Sequence, residues 1–200
     1  MDELAREKQP LVTVITLAYH SSYLQETIDS ILRQNYFPLE YIISDDGTPD
    51  FDVGRWERYI EKYPESPVKQ FRVLHHTENI GTVKNLNCAL HHANGRYYVI
   101  LAGDDVFADE NVIRDWVNYF QNQEITFATS YMDSYDNTLT QFLQRRPSEE
   151  ERQLLLTETS QELFECIAKE NFVIGCTTAY TAEFWERFGD VPERYRLVDD

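Results

Sequence analysis

Two hundred residues suffice for one domain with a real core and are too few for two comfortable ones. The 35 acidic residues outnumber the 18 basic ones, for a formal charge of −17, which excludes a protein that wraps nucleic acid or holds an anionic membrane by charge alone. The three cysteines, Cys88, Cys166 and Cys176, show no Cys-x-x-Cys spacing, so neither a disulfide framework nor a zinc knuckle is indicated.

The leader Met1 to Pro10 is charged and has no apolar h-region, and no apolar run is long enough to cross a bilayer. With no Asn-x-Ser/Thr sequon, the expected location is cytoplasmic, with peripheral contact at the inner face of a membrane left open. Leu11 to Leu17 is a β-branched run of the kind buried on both faces of a sheet. Ser22 and Gln25 have capping-box spacing, and Leu24, Ile28, Ile31 and Leu32 then recur with helical period. Tyr41 to Ser44 reads as a second strand running into the turn formers of Asp45 to Asp50. Strand, helix and strand in succession predict a parallel βαβ unit. Trp56, Tyr59, Ile60 and Tyr63 mark a second helix, Phe71 to His75 a third strand, and Val83, Leu86 and Leu90 a third helix.

Tyr97 to Leu101 is a fourth strand, and Gly103-Asp104-Asp105 follows it at once. Val112, Ile113, Trp116, Val117 and Phe120 predict another helix, and Ile125 to Tyr131 another strand. The alternation predicts an α/β fold with a doubly wound, Rossmann-like, mostly parallel sheet. Beyond residue 131 the pattern weakens. Arg145 to Arg152 is charged and aperiodic and reads as a surface loop. A helix is expected around Leu163, Phe164 and Ile167. Gly175 to Tyr180 is a small-residue strand or turn that permits close approach, and Phe184, Trp185 and Phe188 mark a short helix behind Thr181. Residues 1–200 are expected to be one domain, with 11–131 as its regular α/β half and 132–200 as a less regular half. The latter stops in the middle of an apolar-then-acidic element, as a truncated chain would.

Three acidic pairs, Asp45-Asp46, Asp104-Asp105 and Asp199-Asp200, each follow an apolar run. Carboxyl ends of neighbouring parallel strands line one crevice. Adjacent carboxylates stay ionised most easily beside a cation, and their hard oxygens suit Mg²⁺ or Mn²⁺. The residues therefore point to a metal-assisted site for a phosphorylated substrate.

Val14-Ile15-Thr16-Leu17-Ala18-Tyr19-His20, Ile42-Ile43-Ser44-Asp45-Asp46-Gly47-Thr48, Asn79-Ile80-Gly81-Thr82-Val83-Lys84-Asn85-Leu86-Asn87 and Gly95-Arg96-Tyr97 with Leu101-Ala102-Gly103-Asp104-Asp105 resemble, in order and spacing, the motifs of family 2 glycosyltransferases with the GT-A fold. The resemblance implies a nucleotide-diphospho-sugar donor, UDP-sugar first among them, a divalent metal, Mn²⁺ or Mg²⁺, and transfer with inversion to a saccharide or lipid-linked acceptor. It implies that Leu17, Ala18 and Tyr19 contact the nucleoside and that Asp45 accepts a hydrogen bond from the base. Asp46 is its neighbour in the nucleotide-binding set, read as the more structural of the two. Asn79, Gly81 and Lys84 match the motif that reaches base or diphosphate. Asp104 is expected at the ribose or a metal-bound water and also as a metal ligand, Asp105 at the metal itself, and Asp200, or else Asp199, as the general base.

The chain departs from the family pattern at Ala102-Gly103, where many members carry a further acid, and at His20, where Asn is frequent. Three other readings compete. A nucleotidyltransferase would show a Gly-rich loop after the first strand, where Leu17-Ala18-Tyr19-His20 stands. A receiver-like domain would place acids after that strand. An inactive glycosyltransferase-like binding module remains as the third. Zinc at His75-His76 or His91-His92 is disfavoured because adjacent side chains diverge. Tyr131, Tyr135 and Trp185 could stack on sugars, with core packing the plainer role for Trp185.

Overall fold

β-branched and aromatic runs bounded by turn residues become the strands, and the helical-period segments between them cover both faces of the sheet. A computed structural model describes residues 9–194 apart from 137 and 139; Asp199 and Asp200 lie outside the described residues. In chain order the elements are β1 (Val12–Ala18), α1 (Leu24–Leu32), β2 (Leu39–Asp45), α2 (Val53–Glu61), β3 (Val68–His75), α3 (Thr82–His92), β4 (Tyr97–Ala102), α4 (Val112–Asn122), β5 (Phe127–Thr129), β6 (Met132–Tyr135), β7 (Phe142–Arg146), α5 (Glu149–Thr157), α6 (Ser160–Lys169), a 3₁₀ turn (Gly175–Thr177), β8 (Thr178–Thr181) and α7 (Ala182–Phe188).

The central sheet has the order β3-β2-β1-β4-β8-β5. β1 runs parallel to β2 on one side and β4 on the other, with Ala18 opposite Asp45 and Leu17 opposite Ala102. The carboxyl ends that carry two of the acidic pairs therefore flank β1, and the chain reverses its direction of travel across the sheet there. Ligands of open α/β sheets bind at such a switch point. Successive side chains of a strand face opposite ways, and two cores result. Val12, Val14, Tyr41, Ile43, Val99 and Leu101 pack with Ile28, Trp56, Ile113 and Phe120 of α1, α2 and α4. Ile15, Ile42, Tyr98 and Ile100 pack on the other side with Ala89, Leu86 and Leu90 of α3 and Trp185 of α7. At the opposite edge, buried Glu40 accepts from Thr13 Oγ1, the Asn94 backbone N–H at 2.7 Å, Asn94 Nδ2 at 2.8 Å and Gln70 Nε2 at 3.0 Å. Four donors offset the burial of its charge.

Several local expectations change. The α1 N-cap is Tyr23, without a side-chain cap bond, so the Ser22–Gln25 capping box does not form. The expected strand over Ile125 to Tyr131 shrinks to β5, because β8 returns between β4 and β5 and pairs antiparallel with both. The alternating parallel pattern thus ends at β4. Arg145 to Arg152 is no loop: it contains the end of β7 and the start of α5. The helix begins because Ser148 Oγ accepts from the Glu151 N–H while the Glu151 carboxylate accepts from the Ser148 N–H, a complete capping box. Thr159 and Glu162 do the same for α6. β6 and β7 form a separate hairpin.

Candidate functional site

The turn after β1 leaves Tyr19 exposed and puts His20 at φ 51°. That left-handed conformation is uncommon outside Gly, and Asn, Asp and His adopt it more readily than most, which gives a backbone reason for an Asn or His at this position. The His20 N–H donates to Thr48 Oγ1 at 2.8 Å, and the Tyr19 N–H to Ser21 Oγ at 3.3 Å. The β1 and β2 turns are thereby joined.

Asp45 and Asp46, adjacent in sequence, point to opposite faces. Asp45 is 1% exposed; its Oδ2 accepts from the Thr48 N–H at 2.8 Å and lies 2.8 Å from His75 Nδ1, whose ring stacks on Phe51 on the α1/α2 side. Its other oxygen, Oδ1, is buried without a hydrogen-bond partner. Asp46 faces α3, where Oδ1 accepts from the Ile80 N–H at 2.7 Å and Oδ2 from the Gly81 N–H at 3.0 Å. The Asn-x-Gly motif is thus fastened to the end of β2 by one carboxylate. Gly47, at φ 80°, lets the turn pass under Glu78: a Cβ there would lie 2.3 Å from the Glu78 carbonyl carbon. Asn85, 2% exposed, continues the seam, its Nδ2 donating to the Ser44 carbonyl and its Oδ1 accepting from Ser44 Oγ.

At the end of β4 the Gly103 N–H donates to the Leu17 carbonyl at 2.8 Å. A Cβ on Gly103 would lie 2.5 Å from Ser21 Oγ and 3.2 Å from the Ala18 Cβ, so the bare glycine lets the Asp104-Asp105 turn close onto the β1 turn. Asp104 is exposed, Asp105 is half-buried, and the Asp105 N–H donates to the Ala102 carbonyl at 3.1 Å. Among the described residues no three His, Cys, Asp or Glu side chains gather as a metal cage. Two carboxylates still fit Mg²⁺ or Mn²⁺, which commonly take one or two and complete their shell with phosphates and water.

A cleft of about 410 Å³ opens on the α3 side of this edge. Leu17, Ala18, Tyr19 and Asp46 of the predicted set line it, with Ala102 leading to the acidic turn. Asp45, Asn79, Gly81, Lys84, Asp104 and Asp105 do not form its wall; Gly81 is reached through Asp46, and Lys84 is exposed on the first turn of α3. The opposite wall is Cys176, Tyr180, Trp185 and Val191. Burial pushes the Tyr180 phenol up, which keeps it a neutral hydrogen-bond donor. Trp185 both packs on the second core and presents an indole N–H with no partner among the described residues. Sequence reasoning missed Cys176, Tyr180 and Val191 as cleft residues; the small-residue run from Gly175 was the signal for the first two, and Val191 had none.

A sequence model described as glycosyl transferase family 2 matches residues 13–188. The chain belongs to this family. An uncharacterized glycosyltransferase of Haemophilus influenzae is 33% identical over 129 residues, 64% of this chain and 38% of that protein. A putative teichuronic acid biosynthesis glycosyltransferase, TuaG of Bacillus subtilis, is 37% identical over 98 residues, 48% of this chain and 37% of that protein. Among solved structures, S. aureus TarS 1-349 in complex with UDP superposes with a TM-score of 0.70 at 18% identity, over 92% of this chain and 51% of that one. The mannosyltransferase PcManGT from Pyrobaculum calidifontis, in complex with GDP-Man and Mn²⁺, gives 0.66 at 19% identity, over 98% and 56%. These likenesses establish the GT-A fold. The family 2 chain spans under two-fifths of these curated relatives and about half of these structural neighbours.

Proposed function

We propose that this family 2 glycosyltransferase takes a nucleotide-diphospho-sugar, UDP-sugar first, and moves its sugar with inversion to a saccharide or lipid-linked acceptor hydroxyl. A role in surface polysaccharide or glycoconjugate synthesis fits the name of the Bacillus relative. The observation that carries the reading is the cleft at the switch point, with Tyr19 and Asp46 at one end and the Asp104-Asp105 turn directly beyond Ala102. In this reading Tyr19 lies against the nucleobase while Leu17 and Ala18 form the floor. The carboxylate that approaches the base is Asp46, on the cleft face, and Asp45 braces the turn from behind. Asn79, Gly81 and Lys84 present the head of α3 to the diphosphate, where backbone N–H groups and a lysine favour an anion.

Asp105, with Asp104 beside it, would hold the divalent ion, which when bound would supply positive charge against the charge that grows on the departing diphosphate. Asp200, or else Asp199, takes the proton of the acceptor hydroxyl, a poor nucleophile near neutral pH without a base. Attack from the face opposite the leaving group inverts the anomeric centre, as in inverting sugar chemistry generally. Residues 11–131 supply the donor half of the site and 132–200 the acceptor side.

The test is turnover of a panel of UDP- and GDP-sugars with Mn²⁺ or Mg²⁺, read as nucleoside diphosphate, beside a second panel of nucleoside triphosphates with sugar 1-phosphates, read as pyrophosphate. Release of nucleoside diphosphate that needs the metal and is lost in Asp105→Ala is expected. Pyrophosphate release instead would identify a nucleotidyltransferase, and no turnover of any donor would leave a binding module.

A further inference from the structure

Asn87 is 2% exposed, on α3, and does not touch the cleft. Its side chain spends both polar atoms on one distant peptide: Nδ2 donates to the Val191 carbonyl at 2.9 Å, and Oδ1 accepts the Val191 N–H at 3.0 Å. One helical turn further on, His91 Nε2 lies 2.9 and 3.0 Å from the two carboxylate oxygens of Asp190, as residues four apart share a helix face. Just upstream, α7 ends at Gly189 with φ 70°, its N–H bonded to the Trp185 carbonyl at 2.8 Å. The chain thus leaves α7, turns, and is held against α3 at 190 and 191. Val191 itself lines the cleft.

The head and the middle of α3 are both committed. Its head is bonded to Asp46 through Gly81, and its middle carries Asn87. A surface strap would need no buried amide paired to backbone in this way, because water would satisfy the same peptide at less entropic cost. We infer that Asn87, supported by His91, is a positioning residue that fixes the 189–191 segment, and with it the Val191 wall, relative to the donor cleft. This rests on the reading above of the cleft as the donor site. Asn87 touches neither donor nor acceptor; its effect runs through Val191.

The experiment measures UDP affinity by calorimetry and UDP release from UDP-GlcNAc with Mn²⁺ for the wild type, Asn87→Ala, Asn87→Asp and His91→Ala. A misplacement of about 1 Å caused by a change far from the chemistry costs on the order of a hundredfold in rate. Asn87→Ala is therefore expected to lower kcat by about tenfold to a hundredfold while UDP affinity stays within about twofold, which also reports an intact fold. Asn87→Asp keeps the shape and the acceptor for the Val191 N–H but loses the donor, and should fall between; His91→Ala, at an exposed pair, should cost less than either. An Asn87→Ala protein with wild-type kcat overturns the inference and leaves the function standing. Parallel loss of kcat and UDP affinity also overturns it, since that is general damage to α3. A wild type that releases no UDP overturns the function and the inference together.

Discussion

Gly103 decides how closely the acidic turn approaches the β1 turn. A methyl group there would meet Ser21 Oγ at 2.5 Å and the Ala18 Cβ at 3.2 Å, so Gly103→Ala must push the two turns apart. A cost of about 1–3 kcal/mol is expected from overpacking, together with weaker donor binding, and Ser21→Gly in the same chain should recover part of the stability. Urea denaturation of the two variants checks this; a Gly103→Ala protein as stable as the wild type would contradict it. At this scale the sequence made the acidic pairs legible, because an apolar run followed by two carboxylates is a local pattern. It did not make legible which member of a pair faces the cleft. Adjacent strand residues point to opposite faces, so the answer depends on parity set by the whole sheet. Asp46 rather than Asp45 reaches the cleft because Ser44 and Asp46 share the α3 side, while Asp45 shares its side with His75 and Phe51. His20 illustrates the same limit: its positive φ is a property of the turn, visible only once Thr48 is seen to hold its N–H.

The elements from β1 to α4 could be read in the sequence because each buries one face or both, and burial writes a period of two or 3.6 into the residues. The second half is written more faintly, with apolar residues marking only α6, at Leu163, Phe164 and Ile167, and α7, at Phe184, Trp185 and Phe188. Neither α5 nor α6 has a buried residue among those described, and their start signals are chemical, Ser148 with Glu151 and Thr159 with Glu162. The β6–β7 hairpin depends on polar contacts as well: Asp133 holds Arg145 in a two-point pair at 2.6 and 2.7 Å, and the guanidinium lies 5.2 Å from the Tyr131 ring centre. Hydrogen bonds from Arg145 keep the Asp133 carboxyl below the usual carboxylate range. A carboxyl whose folded pKa is depressed stabilises the folded form above its unfolded value, about 3.9 for Asp, and loses that contribution as pH falls through the lower folded value. Hydrogen exchange of the hairpin amides should therefore be protected at pH 6 and lose protection as pH falls below the ordinary Asp value of about 3.9. Asp133→Asn should flatten that dependence in the hairpin. A hairpin equally protected across the range in the wild type would remove the pair from its stability.

For the whole molecule, the switch point and the net charge act on the same problem. β1 lies between β2 and β4, so two strand ends and the head of α3 meet around one cleft, as the alternating strands and helices of the sequence led one to expect. The insertion of β8 between β4 and β5, which brings Tyr180 and Trp185 to the far wall, required long-range pairing that no local pattern encodes. A chain with a formal charge of −17 repels a diphosphate, and the site itself adds Asp46, Asp104 and Asp105. On the proposed function, affinity for a nucleoside diphosphate comes from a metal that Asp104, Asp105 and the phosphates would share. Calorimetric titration of UDP into the protein with and without Mn²⁺ tests this most directly. Saturable binding with Mn²⁺ that weakens at least tenfold, about 1.4 kcal/mol, when the metal is chelated is the predicted result; no binding with the metal, or the same affinity without it, would contradict the account.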